Sequence, residues 1–353
     1  MADPGGGTDD GTVRATPWTA LVAAAALLAG CTTAPPAAAT ASPARSATSP
    51  GPSTARATVG SAVSAESSPP RSAPAARPTP ERPCVGTPPP RRWAHVVWVV
   101  MENRDPAQIV GSPQAPFETA LAAQCGLAVR YSAVAHPSLP NYLALTSGST
   151  HGVSDDAGPD QHPIAGPSVF SLLAAAGLDW ATYAESMPAP CFPSSTASYA
   201  VKHNPAVYYT GLRASCASAD LPMGSPAAGA LATALDTGRL PAFSLLVPNI
   251  CNDDHDCPVS TGDAWLSRWL PRLTASAAYR AGETAVFVTW DEAGAGTTNA
   301  VALLVVAPSV PAGTTVAVPA SHVALLATTL ALLGVANPIT PPAPAMARGF
   351  HLA

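Results

Sequence analysis

Five short apolar runs limit the folds open to this chain: residues 94–101 (AHVVWVVM), 180–184, 242–247, 285–290 and 301–307. None alternates cleanly between apolar and polar, and all are rich in Val, Leu or aromatic residues. Such runs suit strands covered on both faces, as in a parallel sheet. Helical patterns fall between them, at 116–124, 139–146, 169–176, 227–236, 263–270 and 323–333. Strand and helix in repeated succession predict an α/β layered domain with right-handed crossovers.

In sheets of this kind, ligands gather beyond the carboxyl ends of the strands. Polar residues sit at those places here. The first run leads into Glu102-Asn103-Arg104, the run at 285–290 into Asp291-Glu292, and the run at 242–247 into Asn249 and then Asn252-Asp253-Asp254-His255-Asp256. Carboxylates and amides delivered to one edge are what a divalent cation requires, because hard and borderline ions take oxygen ligands.

A further strand-like run, 127–133, leads into His136-Pro137-Ser138-Leu139-Pro140-Asn141-Tyr142. Ser138 precedes a helical pattern, 139–146, with a proline in its first turn, where proline is tolerated. There it would meet the positive end of the helix dipole and unpaired backbone N–H groups, which favour an alkoxide and a bound phosphoryl group. Asn141, three residues on, is placed to aim its amide at the same anion. The plainer reading makes Ser138 a helix N-cap.

Glu102-Asn103, the segment from His136 to Tyr142, Lys202-His203-Asn204-Pro205, the Asn252–Asp256 cluster, Asp291-Glu292 and the helix after His322 follow one another in an order that resembles the bacterial phosphoesterase family. That family holds acid phosphatases and phospholipase C-type enzymes of the alkaline-phosphatase-like superfamily. The resemblance implies a three-layer α/β/α sandwich around a mostly parallel sheet, and metal-dependent hydrolysis of phosphate esters through a phosphoseryl intermediate. It implies that Glu102, Asn103, Asp291 and Glu292 hold the metal together with Ser138, the nucleophile. It gives Asn141 a phosphoryl oxygen and His255 the phosphoryl oxygens or the leaving group, and it lines the pocket with His136, Lys202 and His203. For His136, His203 and His322 a framework role is the alternative, as capping is for Asp253, Asp256 and Asp263. No histidine lies near Asn299 after Asp291-Glu292, which leaves fewer histidine ligands than a two-zinc phosphatase uses, so one divalent metal ion is expected. A phospholipase C acting on membrane lipids and a non-catalytic surface binding protein are the competing functions. No G-x-S-x-G elbow surrounds Ser138, against a classical serine hydrolase.

Charge narrows the partners. From Cys84 onward there are 11 Lys and Arg against 17 Asp and Glu, and Lys202 is the only lysine of the chain. No basic stripe exists to neutralise a nucleic-acid backbone. A phosphate ester is the expected partner of a protein acting as a monomer.

The N-terminal part is of another kind. Residues 19–30 (TALVAAAALLAG) form an apolar run that as a helix spans about 18 Å, too short for a hydrocarbon core of about 30 Å. They read as the core of a signal peptide covering residues 1–30. Leu28-Ala29-Gly30-Cys31 resembles the bacterial lipobox, so Cys31 is the expected lipidation site, giving an exported protein held at the membrane. Residues 31–83, rich in Pro, Ala, Ser and Thr, have too little bulky apolar surface to offset their ordering entropy and read as a tether of roughly 40 Å reach. The catalytic domain is expected over residues 84–353. Its six cysteines allow 15 pairings. Proximity in sequence suggests Cys84–Cys125, Cys191–Cys216 and Cys251–Cys257. A zinc site is the rival use, but no C-x-x-C pair occurs.

Overall fold

The computed structural model describes residues 76–294 and 298–353. The expected signal peptide, Cys31 and most of the tether lie outside the described residues. Packing starts slightly before Cys84: Pro78 and Pro83 are buried, and the Pro83 carbonyl accepts from the Tyr279 hydroxyl at 3.0 Å.

Ten strands are present among the described residues: β1 (His95–Met101), β2 (Gly126–Ala128), β3 (Tyr131–Ser132), β4 (Trp180–Ala184), β5 (Asp220–Pro222), β6 (Phe243–Val247), β7 (Thr284–Trp290), β8 (Leu303–Val306), β9 (Thr314–Val316) and β10 (Ala320–Ser321). Eight form one sheet in the order β5-β4-β6-β1-β7-β8-β2-β9, and β3 pairs with β10 apart from it. From β5 to β7 every pairing is parallel. Strand β8 is antiparallel to both of its neighbours. The sheet is therefore mostly parallel, and the architecture is α/β. Residues Val96–Met101 of β1 and all of β7 are buried, so both sheet faces are covered, as their unbroken apolar sequence requires.

Two expectations are corrected. The run at 301–307 reads as one of the parallel strands, but β8 runs antiparallel to β7. The run at 127–133 reads as one strand and is two. It breaks at the exposed Val129 and Arg130, so that β2 joins the large sheet and β3 the small one.

The helices that matter for the site are Ser138–Ser147, buried at every residue, and His322–Leu332, packed beside it. The first ends at Gly148 in the left-handed region (φ 78°), where an added Cβ would lie 2.7 Å from the Ile339 carbonyl oxygen. Glycine is needed there on both counts. The Val259–Thr274 helix is longer than the sequence pattern suggests. It buries Trp265, Leu266, Trp269, Leu270 and Leu273 along one side. Disulfides link Cys84–Cys125, Cys191–Cys216 and Cys251–Cys257. The last closes the loop that carries Asp253 and His255.

Candidate active site

Strands β6, β1 and β7 are neighbours at the centre of the sheet, so their carboxyl ends deliver Asp253, Glu102 and Asp291 to one place. All three carboxylates are fully buried. The Glu102 N–H donates to the Asp253 carbonyl at 2.8 Å, and the Asp291 N–H to that of Met101 at 2.9 Å, which ties the strand ends together. Asn103 adopts a left-handed conformation (φ 54°), accessible to Asn at modest cost. Its N–H donates to Asp291 Oδ1 at 3.2 Å and its amide to Glu102 Oε2 at 3.0 Å.

Ser138 is the first residue of its helix, and Pro137 is the N-cap. The serine therefore does not cap. Its hydroxyl donates to Glu102 Oε2 at 3.0 Å, pointing the side chain into the carboxylate cluster. Lys202, on a short turn formed by Val201–His203, places its ammonium 3.4 Å from Ser138 Oγ and 2.9 Å from Asp156 Oδ2. Burial lowers the Lys202 pKa, but Glu102, Asp156 and Asp291 outweigh that and raise it overall, so it stays charged.

The histidines divide. His203 is buried, with Nε2 2.9 Å from Glu102 Oε1 and Nδ1 3.1 Å from Asp253 Oδ2, and Tyr142 stacks on its ring with centroids 5.3 Å apart. His136 is 43% exposed and lies 2.7 Å from Glu292 Oε2. His255, about one-third exposed, holds Nδ1 2.6 Å from Asp256 Oδ1 and has its ring 6.0 Å from that of His203. His322 is a framework residue. A carbonyl can only accept, so Nε2–H donates to the Asp291 carbonyl (2.6 Å) and Nδ1 accepts from the Tyr131 hydroxyl (3.0 Å). Burial pulls its pKa down to about 4, so the ring is neutral.

Asn141 does not have the geometry expected of it. Its Oδ1 accepts from the Val134 and Ala135 N–H groups, and its Nδ2 donates to the Ala135 and Pro137 carbonyls, all at 2.9–3.1 Å. No donor is left for a phosphoryl oxygen. Asn141 clamps the 134–137 segment that leads to Ser138. The helix N-terminus is likewise not the open anion site that the pattern suggests. Pro137 and Pro140 have no N–H, and the Leu139 N–H is taken by Asp156 Oδ1 at 2.9 Å. Asp156 was missed in the sequence because nothing marks an acid in the loop of residues 153–160 as a partner of residues 139 and 202.

Several buried polar atoms here have no hydrogen-bond partner: Glu102 Oε1, Asp253 Oδ2, Asp291 Oδ2, Glu292 Oε2 and both ring nitrogens of His203. The contacts of His203 with Glu102 and Asp253, and of His136 with Glu292, are within reach but badly angled for hydrogen bonds. Desolvation by burial, then mutual repulsion, raises the pKa of Glu102 and Asp291 well above the usual carboxylate range and that of Glu292 to about 7. Orphaned oxygens on crowded carboxylates are what a divalent ion would satisfy, so the donor set fits a metal. Elsewhere Cys191, Cys216 and Asp220 come within ligating distance of one another, but the two sulfurs are joined as a disulfide.

A carboxylate-lined site at the C-terminal edge of a mostly parallel sheet, with a serine hydroxyl at a helix start, is a phosphoesterase arrangement. Residues 112–330 match the Phosphoesterase family, and the chain belongs to it. It is 36% identical over 201 residues to a phosphatidylinositol-3-phosphatase of Mycobacterium tuberculosis, covering 57% of this chain and 64% of that protein. It is 30% identical over 182 residues to an acid phosphatase of Aspergillus fumigatus, covering 49% of this chain and 40% of the relative. Both alignments thus span less than two thirds of the relative. An alkaline phosphatase superfamily protein from Vibrio parahaemolyticus shares the fold, with a TM-score of 0.50 at 15% identity over 73% of this chain and 69% of that one.

Proposed function

We propose that this protein hydrolyses phosphate monoesters through a phosphoseryl intermediate on Ser138, with one divalent metal ion held by Glu102, Asn103, Asp291, Glu292 and the Ser138 oxygen. The observation that carries this reading is the Ser138 hydroxyl aimed at Glu102 Oε2, 3.0 Å away, inside a cluster of carboxylates with orphaned oxygens. When bound, the metal supplies charge neutralisation for the phosphoryl group and a lowered pKa for the serine hydroxyl.

The protein's own groups account for the rest. Ser138 Oγ attacks phosphorus, the bond from phosphorus to the ester oxygen breaks, and the hydroxyl proton has Glu102 Oε2 as its acceptor. Lys202, 3.4 Å from the attacking oxygen, stands beside the phosphoryl oxygens as charge accumulates on them. His255, about one-third exposed and held by Asp256, protonates the departing alcohol in this reading. Water then attacks the phosphoserine, releasing phosphate and returning the serine. His203 lines the floor, and His136, the most exposed of the three, lines the mouth beside Glu292.

A monoester is favoured over a diester because the two relatives named above bear the names phosphatidylinositol-3-phosphatase and acid phosphatase. The three disulfides favour an oxidising compartment and therefore export, with Cys31 as the lipidated anchor, residues 31–83 as tether and one catalytic domain beyond. The deciding experiment treats protein, first stripped with chelator and then restored with single metals, with a ³²P-labelled monoester followed by acid quench. The label should appear on the peptide containing Ser138, only with metal, and not in Ser138→Ala or Asp291→Ala protein. Full turnover by Ser138→Ala would overturn the reading.

A further inference from the structure

The start of a helix ordinarily offers four backbone N–H groups to an anion. Of the four at the Ser138 helix, two are missing because Pro137 and Pro140 are prolines, and the Leu139 N–H is occupied by Asp156 Oδ1. Only the Ser138 N–H remains. The positive charge that this helix does not supply comes from Lys202, whose ammonium lies 3.4 Å from Ser138 Oγ. A lysine is a point charge on a flexible four-carbon stem, so it acts at a fixed point only if something holds it. Asp156 does so with its other oxygen, 2.9 Å from Nζ. One carboxylate thus spans the nucleophile's helix and the cation beside the nucleophile, and its two oxygens are divided between them. Lys202 and Asp156 are each mostly buried, at 20% and 29% exposure, which limits competition from water.

We propose that Asp156 is a positioning residue that holds Lys202 over Ser138, so that the ammonium replaces the helix N–H groups as the cradle for the transferred phosphoryl group. This rests on Ser138 being the nucleophile. Asp156 itself touches neither substrate nor the reacting atoms and acts through Lys202.

A double-mutant cycle on the full-length, metal-loaded protein tests it, with p-nitrophenyl phosphate as substrate and inorganic phosphate as inhibitor. Asp156→Asn keeps an oxygen for the Leu139 N–H while removing the charge that faces Lys202. It should lower kcat/KM about 10-fold and weaken phosphate inhibition, and Lys202→Met should lower kcat/KM about 100-fold. If Asp156 works through Lys202, the double variant should be no worse than Lys202→Met alone, and Asp156→Asn should leave phosphate inhibition unchanged in that background. Losses that multiply to about 1,000-fold would overturn the proposal. Asp156→Glu, which restores the charge, should recover activity relative to Asp156→Asn. Equal activity of the two, at melting temperatures equal to that of the wild type, would also count against it. Ser138→Ala run alongside separates the two levels. Activity in that variant defeats the nucleophile, whereas an inactive Ser138→Ala with a multiplicative cycle defeats only the role of Asp156.

Discussion

Replacing Asn141 with Ala separates two roles that differ in kind. In the structure the side chain is completely buried and makes four hydrogen bonds to the backbone of residues 134–137, two as acceptor and two as donor. A typical intramolecular hydrogen bond contributes about 1 kcal/mol net, and a buried group left without its partner costs about 1–3 kcal/mol. Water can reach some of the freed groups, since Val134 is exposed and Ala135 and Pro137 lie at the edge of the site. The loss should therefore be on the order of 4 kcal/mol, a large share of the stability of an ordinary domain. Because the clamped segment ends at Ser138, activity should fall as well, chiefly in kcat, since the nucleophile rather than the binding groups is displaced. Urea unfolding of the wild type and Asn141→Ala gives the first number, and inhibition by inorganic phosphate gives the contrast. A residue that grips the phosphoryl group predicts the reverse: near-wild-type stability with phosphate affinity reduced by more than 10-fold. A stability loss below about 1 kcal/mol together with such an affinity loss would refute the clamp.

Two other outcomes follow from particular residues. Glu118 is fully buried, neither carboxylate oxygen has a partner, and desolvation followed by repulsion from Asp254 and Asp263 raises its pKa well above the usual range. A carboxyl with a raised folded-state pKa stabilises fully below its unfolded pKa, and that contribution is lost as pH rises through the folded value. Asp254, raised to about 7 chiefly by burial, acts in the same direction. Glu118→Gln should therefore match the wild type in thermal melts near pH 4 and exceed it by about 1–3 kcal/mol near pH 8, and a gap that does not widen with pH would contradict this. Cys31→Ser should move the protein from the membrane fraction to the soluble one with unchanged specific activity, and continued membrane association would exclude the lipid anchor.

Much of the site was legible because it depends on strand ends. An apolar run that stops at a carboxylate, as Val97–Met101 does at Glu102 and Phe287–Trp290 at Asp291, reveals both the strand and the group it delivers, and adjacent central positions for β6, β1 and β7 do the rest. The short edge elements were not legible. Strands β5, β9 and β10 have two or three residues each, too few for any period to register, and they exist because neighbouring strands offer them backbone partners. The roles of the polar residues were legible only in part, since a side chain's partner lies in no local pattern. Ser138 and Asn141 occupy the same helix turn and carry equally suggestive chemistry, yet one hydroxyl faces Glu102 while the amide is consumed by its own approach loop.

That difference lies in the partners each group meets. The first N–H groups of a helix have no partner within it, and Pro137 and Pro140 have none to satisfy; of the groups that do need partners, Asp156 takes the Leu139 N–H and Asn141 those of the approach loop. An amide with two donors and an acceptor suits the loop side, where both carbonyls and N–H groups need partners. A carboxylate, which only accepts, suits the Leu139 N–H and has an oxygen left for a cation. The two prolines remove half of the backbone anion site, and the acid that takes the Leu139 N–H is also the one that keeps Lys202 beside Ser138.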